Sequence, residues 1–374
     1  MVKVSAFTSL IPEQDFITKV PTKTYANYSK AEIEIEIKNN PYSFLNIINN
    51  NQKNRYNEIR KKIKYFKEKN ILKTSIKKSL YLYQKIELQN SYVGLVCGVS
   101  LDDYGNKKIK IHENTIINRE VLFAKYLKET KIYAEPVLLA HNGNLNEITG
   151  QYITKRPTYD FVTSDQIQHR IWEIDDRIEI NKITSFFNKI DNLYIADGHH
   201  RMASSYRNNP NQNCLAYIVG KNQLTTHAFH RKISNIKNAD LIMMQLRKKF
   251  HISLIKKAST KCNKLQFYRN RQWHELDFQD KKDELLVHQL TKYILKPIFG
   301  IKNERINTNV TFIPGNNHIQ KELLTIKHNE IFFFMNQIDI NEIIQISHNN
   351  KTTPPKSTFI LPKLPSGLIM MELI

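Results

Sequence analysis

The chain has 374 residues, 41% hydrophobic and 10% aromatic. That is enough for one large domain or two ordinary ones, and too apolar for a disordered tail. A net charge of +21 and a pI near 9.6 suit an anionic partner. However, the basic residues are dispersed through a Lys-, Asn- and Ile-rich composition, apart from Arg60-Lys61-Lys62-Ile63-Lys64. No helix-turn-helix, zinc-finger or RNA-binding aromatic motif accompanies them, so compositional drift explains the charge better than nucleic acid does.

No run of about 18 apolar residues occurs, and Met1-Val2-Lys3-Val4-Ser5 is not a basic region leading into a long apolar one. The expectation is a cytoplasmic protein without a membrane partner. Cys97, Cys214 and Cys262 are odd in number and far apart, which excludes a disulfide framework and a CxxC metal site.

Periodicity predicts a mixed α/β chain. Residues 31–38 (AEIEIEIK) alternate at period 2 like a strand, yet Glu and Lys favour helix locally. A basic helix is predicted near 54–70 and a strand over 81–87. The β-branched run 92–101 (YVGLVCGVSL) reads as a buried strand. Asp102 to Asn106 then read as a turn, with a strand through Ile109 and Ile111. This pattern predicts a hairpin that delivers His112-Glu113 at its far end.

A helix is expected over 118–128 and a short strand over 136–140. The strand 169–174 (HRIWEI) ends at the acidic turn Asp175-Asp176. A helix to about Ile190 leads into a strand over 193–196. After Asp197-Gly198, a helix runs from His199 to about Arg207, and 214–219 is again a strand. Beyond a soft boundary near 232–240, helices near 238–250 and 282–296 alternate with strands near 309–313 and 330–335. The expected regions are therefore 1–232, carrying the motifs below, and 233–374. The second ends in a proline-rich tail over 352–367, which must be extended or irregular.

Three segments can carry chemistry. In Tyr194-Ile195-Ala196-Asp197-Gly198-His199-His200-Arg201 an apolar strand meets a helix start. Backbone N–H groups and the positive dipole end favour an anion such as phosphate there. Gly198 lets the backbone approach a ligand closely, Arg201 offers a fork of donors, and two histidines can exchange protons near neutral pH. Asp197 is an N-cap, a metal ligand or a base; the bland alternative is an ordinary capped helix with exposed histidines. The second segment is His112-Glu113 with Thr115, where Glu113 is a general base, a Mg²⁺ ligand or simply a solvated loop residue. It is not an HExxH site, because position 116 is Ile116. The third is Pro354-Pro355-Lys356-Ser357-Thr358, an anion-binding segment or a structural tail, without the glycines of a P-loop. Trp172 and Cys97 read as core, and neither a GxSxG elbow nor a GxGxxG fingerprint occurs.

Several motifs in order carry a resemblance: NPYSFL at 40–45, VGLV at 93–96, SLDDY at 100–104, KIHENT at 110–115, HRIWEID at 169–175, YIADGHHRMAS at 194–204 and PPKSTFILPKLPSGL at 354–368. Together they resemble the bacterial family catalogued as domain of unknown function one thousand and fifteen. The segment before NPYSFL is helical in that family, which implies a helix for 31–38. The Asp197–Arg201 turn is in turn similar to that of the ParB/sulfiredoxin superfamily, which includes ADP-dependent free serine kinases. The resemblance implies an α+β (mixed α/β) fold with a ParB/sulfiredoxin-like core and an additional α/β C-terminal region. Sulfiredoxins carry a cysteine where His199 stands, which argues against their chemistry.

The resemblance further implies phosphoryl transfer between a nucleotide, ADP or ATP with Mg²⁺, and a small hydroxyl metabolite of the serine/phosphoserine type. Gly198, His199, His200 and Arg201 would hold the nucleotide phosphates. Glu113, with His112 beside it, would deprotonate the acceptor. Asp197, His199 and His200 complete the catalytic set, and Asp197 and Glu113 would bind the metal. Lys356, Ser357 and Thr358 would hold the substrate. Relatives carry a basic residue near position 116, where this chain has Ile116, and Arg119 is offset from it. That departure favours the alternative, a non-catalytic nucleotide-binding regulatory protein.

Overall fold

The computed structural model describes residues 1–25, 28–49, 54–260, 262–278, 284–315, 319–354 and 356–373. They form a mixed α/β fold in two compact units, 1–224 with 362–374, and 225–361. Pro355 lies outside the described residues, as do residues 282 and 283 of the helix expected near 282–296.

The first unit is built on a nine-stranded sheet. Its central strands, Leu80–Glu87, Asn90–Ser100 and Asn213–Gly220, pair antiparallel in sequence-adjacent and returning fashion. Tyr92 through Val99 is buried at almost every position. A strand buried on both faces reads as a continuous apolar run rather than an alternating one. Each fully buried Val, Leu or Ile there contributes about 1.5–3 kcal/mol relative to exposure.

On one side the sheet continues through Leu80–Glu87 to Gln168–Ile174 and Tyr159–Val162. On the other, Val137–His141 runs parallel to Asn213–Gly220, Leu193–Asp197 runs antiparallel to Val137–His141, and Ile109–Lys110 ends the row. A smaller sheet joins Leu72–Thr74, Ser9–Pro12, Met370–Glu372 and Ile132–Tyr133, so the C-terminal segment is a structural part of the first unit.

Two local findings bear on the sequence. Lys30–Asn39 is a helix, with Ile33 buried and Ile35 exposed. A capping box sets its start: the Glu32 N–H donates to the Ser29 hydroxyl at 3.2 Å, and the Ser29 N–H donates to the Glu32 carboxylate at 2.6 Å. Satisfying two orphan donors at once outweighs the period-2 pattern.

The predicted hairpin after Ser100 is not formed. Leu101–Gly105 is a short helix, and Ile109–Lys110 pairs parallel to Leu193–Asp197, with Ile109 opposite Leu193 and Lys110 opposite Tyr194. The helix carries the chain away from Asn90–Ser100 before a hairpin can close.

The second unit is a seven-stranded sheet in which Thr225–Ile233 pairs with Val310–Pro314, Ile331–Phe334 and Thr358–Leu361. Its core gathers Leu246, Leu265, Phe267, Leu276, Leu290 and Phe333. The helix expected near 282–296 is a single turn, Leu286–Gln289, running into a π-helical stretch, Leu290–Leu295.

Candidate functional site

The Leu193–Asp197 strand is buried through Ala196, and its pairing with Val137–His141 shifts register between Ile195 and Asp197. Such a bulge re-aims the side chain beyond it. Gly198 follows at φ 99° and ψ 26° and caps the His199–Asn208 helix without a side-chain hydrogen bond. A single left-handed residue thus turns the strand into a helix, at a conformation that favours glycine.

Gly198, not Asp197, is therefore the N-cap. The Asp197 carboxylate accepts from the Arg201 Nη2 at 2.7 Å and from the Lys363 Nζ at 3.2 Å. Arg201 also lies 3.3 Å from the Glu135 carboxylate and donates to the Pro136 carbonyl. The Ser366 hydroxyl donates to Glu135. Two cations and two carboxylates, each largely shielded, hold the turn in place. Arg201, as placed, spends its fork on protein oxygens.

The parallel partner strand brings in the second motif. Because Ile109–Lys110 and Leu193–Asp197 run the same way, the segment after Lys110 leaves the sheet at the same end as Asp197-Gly198. The His112 N–H donates to the His199 Nε2 at 3.3 Å, and the two rings meet edge to face at 4.4 Å. That bond places the proton of neutral His199 on Nδ1. Burial pushes the His112 imidazole down to about 4, against a hydrogen bond to the Ile195 carbonyl and the Asp197 charge, which raise it. His112 is therefore neutral at pH 7, a buried support rather than a cation.

Ile116 caps the Ile117–Thr130 helix, and its N–H reaches the His200 Nδ1 at 3.5 Å. Glu120 on that helix accepts from the Thr115 hydroxyl and from Arg207 at 3.1 and 2.6 Å. Glu113 sits half-buried on the connecting segment, and Arg119 is exposed. His112, Thr115, Ile116, His199 and His200 are thus tied into one loop-to-helix junction.

A small cleft opens beside the turn, lined by Asp197, Arg201, Lys363, Tyr217, Leu138 and Thr24 among others. Its volume is about 10 Å³, room for a single water. Lys363 is a contributor that the sequence reasoning passed over. It stands in the same C-terminal motif as Lys356, between Pro362 and Leu364.

Lys356, Ser357 and Thr358 belong to the second unit. There the Lys356 ammonium lies over the Phe229 ring at 5.0 Å, the Ser357 hydroxyl donates to the Pro354 carbonyl at 2.6 Å, and Thr358 pairs with Ala228. Among the described residues no group of three or more His, Cys, Asp or Glu side chains is placed to hold a metal ion. Asp197, already facing two cations, is poorly suited to a resident Mg²⁺.

The arrangement is that of a mixed α/β protein with a glycine-started helix at a strand end and a charged cleft beside it. The chain belongs to the family described as protein of unknown function (DUF1015), whose model matches residues 4–298. No curated protein matches it by sequence. Three solved structures are similar in chain trace. A free serine kinase in complex with AMP is 14% identical, with 74% of this chain and 92% of that chain covered and a TM-score of 0.42. SbnI with C-terminal truncation from Staphylococcus aureus is 10% identical, with 74% and 87% covered and a TM-score of 0.44. A conserved hypothetical protein from Pyrococcus furiosus is 13% identical, with 76% and 98% covered and a TM-score of 0.41. Likeness at this level carries nothing about activity. No helix among the described residues is long and apolar enough to cross a membrane.

Proposed function

We propose that the Asp197–Arg201 turn binds a nucleotide phosphate in a ParB/sulfiredoxin-like core, and that the protein transfers a phosphoryl group between that nucleotide, ADP or ATP, and a small hydroxyl compound, with serine or phosphoserine first in line. One observation carries this reading: the parallel pairing of Ile109–Lys110 with Leu193–Asp197 sets the His112-Glu113 segment against the His199 helix start.

The backbone from Gly198 to His200, at the positive end of a ten-residue helix, suits the phosphate. Gly198 holds φ 99°, and a Cβ there would stand 3.2 Å from the Arg201 guanidinium, so a larger residue would press on that side chain. Phosphoryl transfer needs mainly positioning and charge neutralisation. Arg201 would supply the second by exchanging one of its protein oxygens for a phosphate oxygen. Glu113 would take the proton of the acceptor hydroxyl. His112, neutral and buried, positions His199, while His200 holds the start of the Ile117–Thr130 helix. No step is assigned to a protein-held Mg²⁺.

The test is phosphorus NMR of the purified protein with ADP or ATP and L-serine, and with phosphoserine in reverse, alongside calorimetry with AMP and ADP. Turnover that disappears in Glu113→Gln while nucleotide affinity persists is the expected result. Absence of nucleotide binding would end the proposal. Saturable binding without turnover would favour the regulatory alternative. That alternative draws on Ile116, an apolar helix cap where the family resemblance implies a basic residue.

A further inference from the structure

The seven-stranded sheet ends at His251–Ile255, which is bonded only to Gln272–Asp277. The strand pairs residue for residue with that neighbour, from His251 opposite Asp277 to Ile255 opposite Trp273, without a bulge. On its outer side no hydrogen bond forms among the described residues. Every second residue therefore turns its N–H and C=O outward, as a template for another strand.

Other edges of the two large sheets are defended. Tyr159–Val162 carries Asp160, 3.1 Å from the Arg170 Nε. Ile109–Lys110 is only two residues long, and Val310–Pro314 closes in a proline. Charge, shortness and proline are the devices that keep foreign strands away. His251–Ile255 has no proline, lysine, arginine or acidic residue.

Its side chains leave apolar surface at the same edge. Ile252 packs against the core of the unit. Leu254 shares that face by the period of two and stands opposite His274, whose ring stacks on Phe267 at 4.8 Å. The row ends at the sheet edge with Leu254 64% exposed.

Charge brackets the strand rather than entering it. Lys248-Lys249 precede it and Lys256-Lys257 follow it, all four exposed and none in an ion pair among the described residues. The carboxylates of the neighbouring strand, Glu275 and Asp277, are held by Lys264 at 3.1 and 3.5 Å. A second copy of the chain does not suit this edge. Either strand direction would set one lysine pair against the other copy's, and like charges side by side destabilise a pairing.

We propose that His251–Ile255 is a docking edge for an extended acidic segment of another protein, which adds a strand to the sheet. The backbone of that segment would pair with the outward N–H and C=O groups. A central apolar side chain would cover Leu254, and carboxylates at both ends would meet the lysine pairs. A strand rises about 3.4 Å per residue, so the lysine pairs stand roughly 20 Å apart and the partner's acidic ends about six or seven residues apart. Nucleic acid would use the lysines but leave the backbone groups and Leu254 unmatched. This surface belongs to the second unit and does not depend on the phosphate reading of the Asp197–Arg201 turn.

The test uses the full-length protein and a synthetic peptide of about nine residues, EEVTVTVEE. The comparators are KKVTVTVKK, EEVTPTVEE, whose central proline breaks the strand, and a single-stranded DNA oligonucleotide. Calorimetry measures affinity at low and high salt, and amide hydrogen exchange reports residues 251–255. EEVTVTVEE is expected to bind saturably, less tightly at high salt, and to slow exchange at alternate amides of the strand. KKVTVTVKK and EEVTPTVEE should bind at least about tenfold more weakly. In a Lys256→Glu, Lys257→Glu variant, with an unchanged melting curve, EEVTVTVEE should weaken by about tenfold and KKVTVTVKK should gain.

No binding of EEVTVTVEE would leave the lysines as guards against edge-to-edge association and would overturn the proposal. So would binding without slower exchange at 251–255, or equal affinity for EEVTPTVEE, since charge alone would then be acting. DNA that binds more tightly than the peptide, and is lost in the variant, would make this a nucleic-acid face and equally overturn it.

Discussion

Replacing Gly198 with alanine puts the local argument at risk in a single substitution. At φ 99° and ψ 26°, a Cβ is strained by about 1–2 kcal/mol. The reduced freedom of the unfolded chain returns about 0.4–1 kcal/mol. A second cost comes from the Cζ, Nε and Nη2 of Arg201, each 3.2 Å from the new Cβ. That guanidinium cannot simply swing aside, because Asp197, Glu135 and the Pro136 carbonyl hold it. Giving up one such charge-assisted bond costs about 1.5–3 kcal/mol. The expected total loss is about 2–4 kcal/mol.

Gly300 is the comparator. It has φ 66°, and nothing stands within 4 Å of a Cβ there, so alanine should cost about 1 kcal/mol or less. Urea unfolding followed by tryptophan fluorescence separates the two. Trp172 lies in the first unit and Trp273 in the second, so Trp273→Phe and Trp172→Phe backgrounds report each unit alone. A Gly198→Ala loss no greater than that of Gly300→Ala would refute the claim that Arg201 is pinned against the turn.

Two further outcomes follow from charges outside the turn. Burial works against the Glu120 carboxylate, but the bonds from Thr115 and Arg207 hold it below the usual range. A depressed acid contributes stability above its unfolded value and loses it as pH falls through the folded one. Glu120→Gln should therefore cost about 1 kcal/mol at pH 7, since Arg207 is partly exposed. The gap to the parent should close below about pH 4, and a gap constant with pH in urea midpoints would contradict this.

In the second unit the fully buried Arg231 donates to Glu304 at 3.1 Å and to the Phe229 carbonyl at 2.6 Å. Arg231→Met should cost about 3–5 kcal/mol, because it strands a buried carboxylate. Arg231→Lys should not restore it, because one ammonium cannot reproduce the fork. Equal stability of the Lys variant and the parent, read from Trp273, would sink that account.

Much of the local structure was legible in the residues. The apolar strand before Asp197, the glycine at the turn and the helix after it follow from short-range chemistry, and Gly198 takes the conformation that residue type suggests. The helix at Lys30–Asn39 was also written locally, in Ser29 and Glu32, although its isoleucines alternate like those of a strand. The buried positions of Cys97 and Trp172 follow from their apolar neighbours.

Short-range chemistry thus sets which segments turn, cap and bury. Which segments become neighbours follows from packing across the whole fold. Periodicity reports which face of a strand is apolar but not the strand beside it. The pattern after Ser100 therefore suggested a hairpin, while the Leu101–Gly105 helix sent Ile109–Lys110 to Leu193–Asp197 instead. The arrival of Lys363 at Asp197 depends on pairing between Thr22 and Ser366, more than 300 residues apart. The commitment of Arg201 to protein oxygens is likewise a property of packed side chains. Such long-range pairings are selected by the free energy of the whole packed core, and no window of adjacent residues records them.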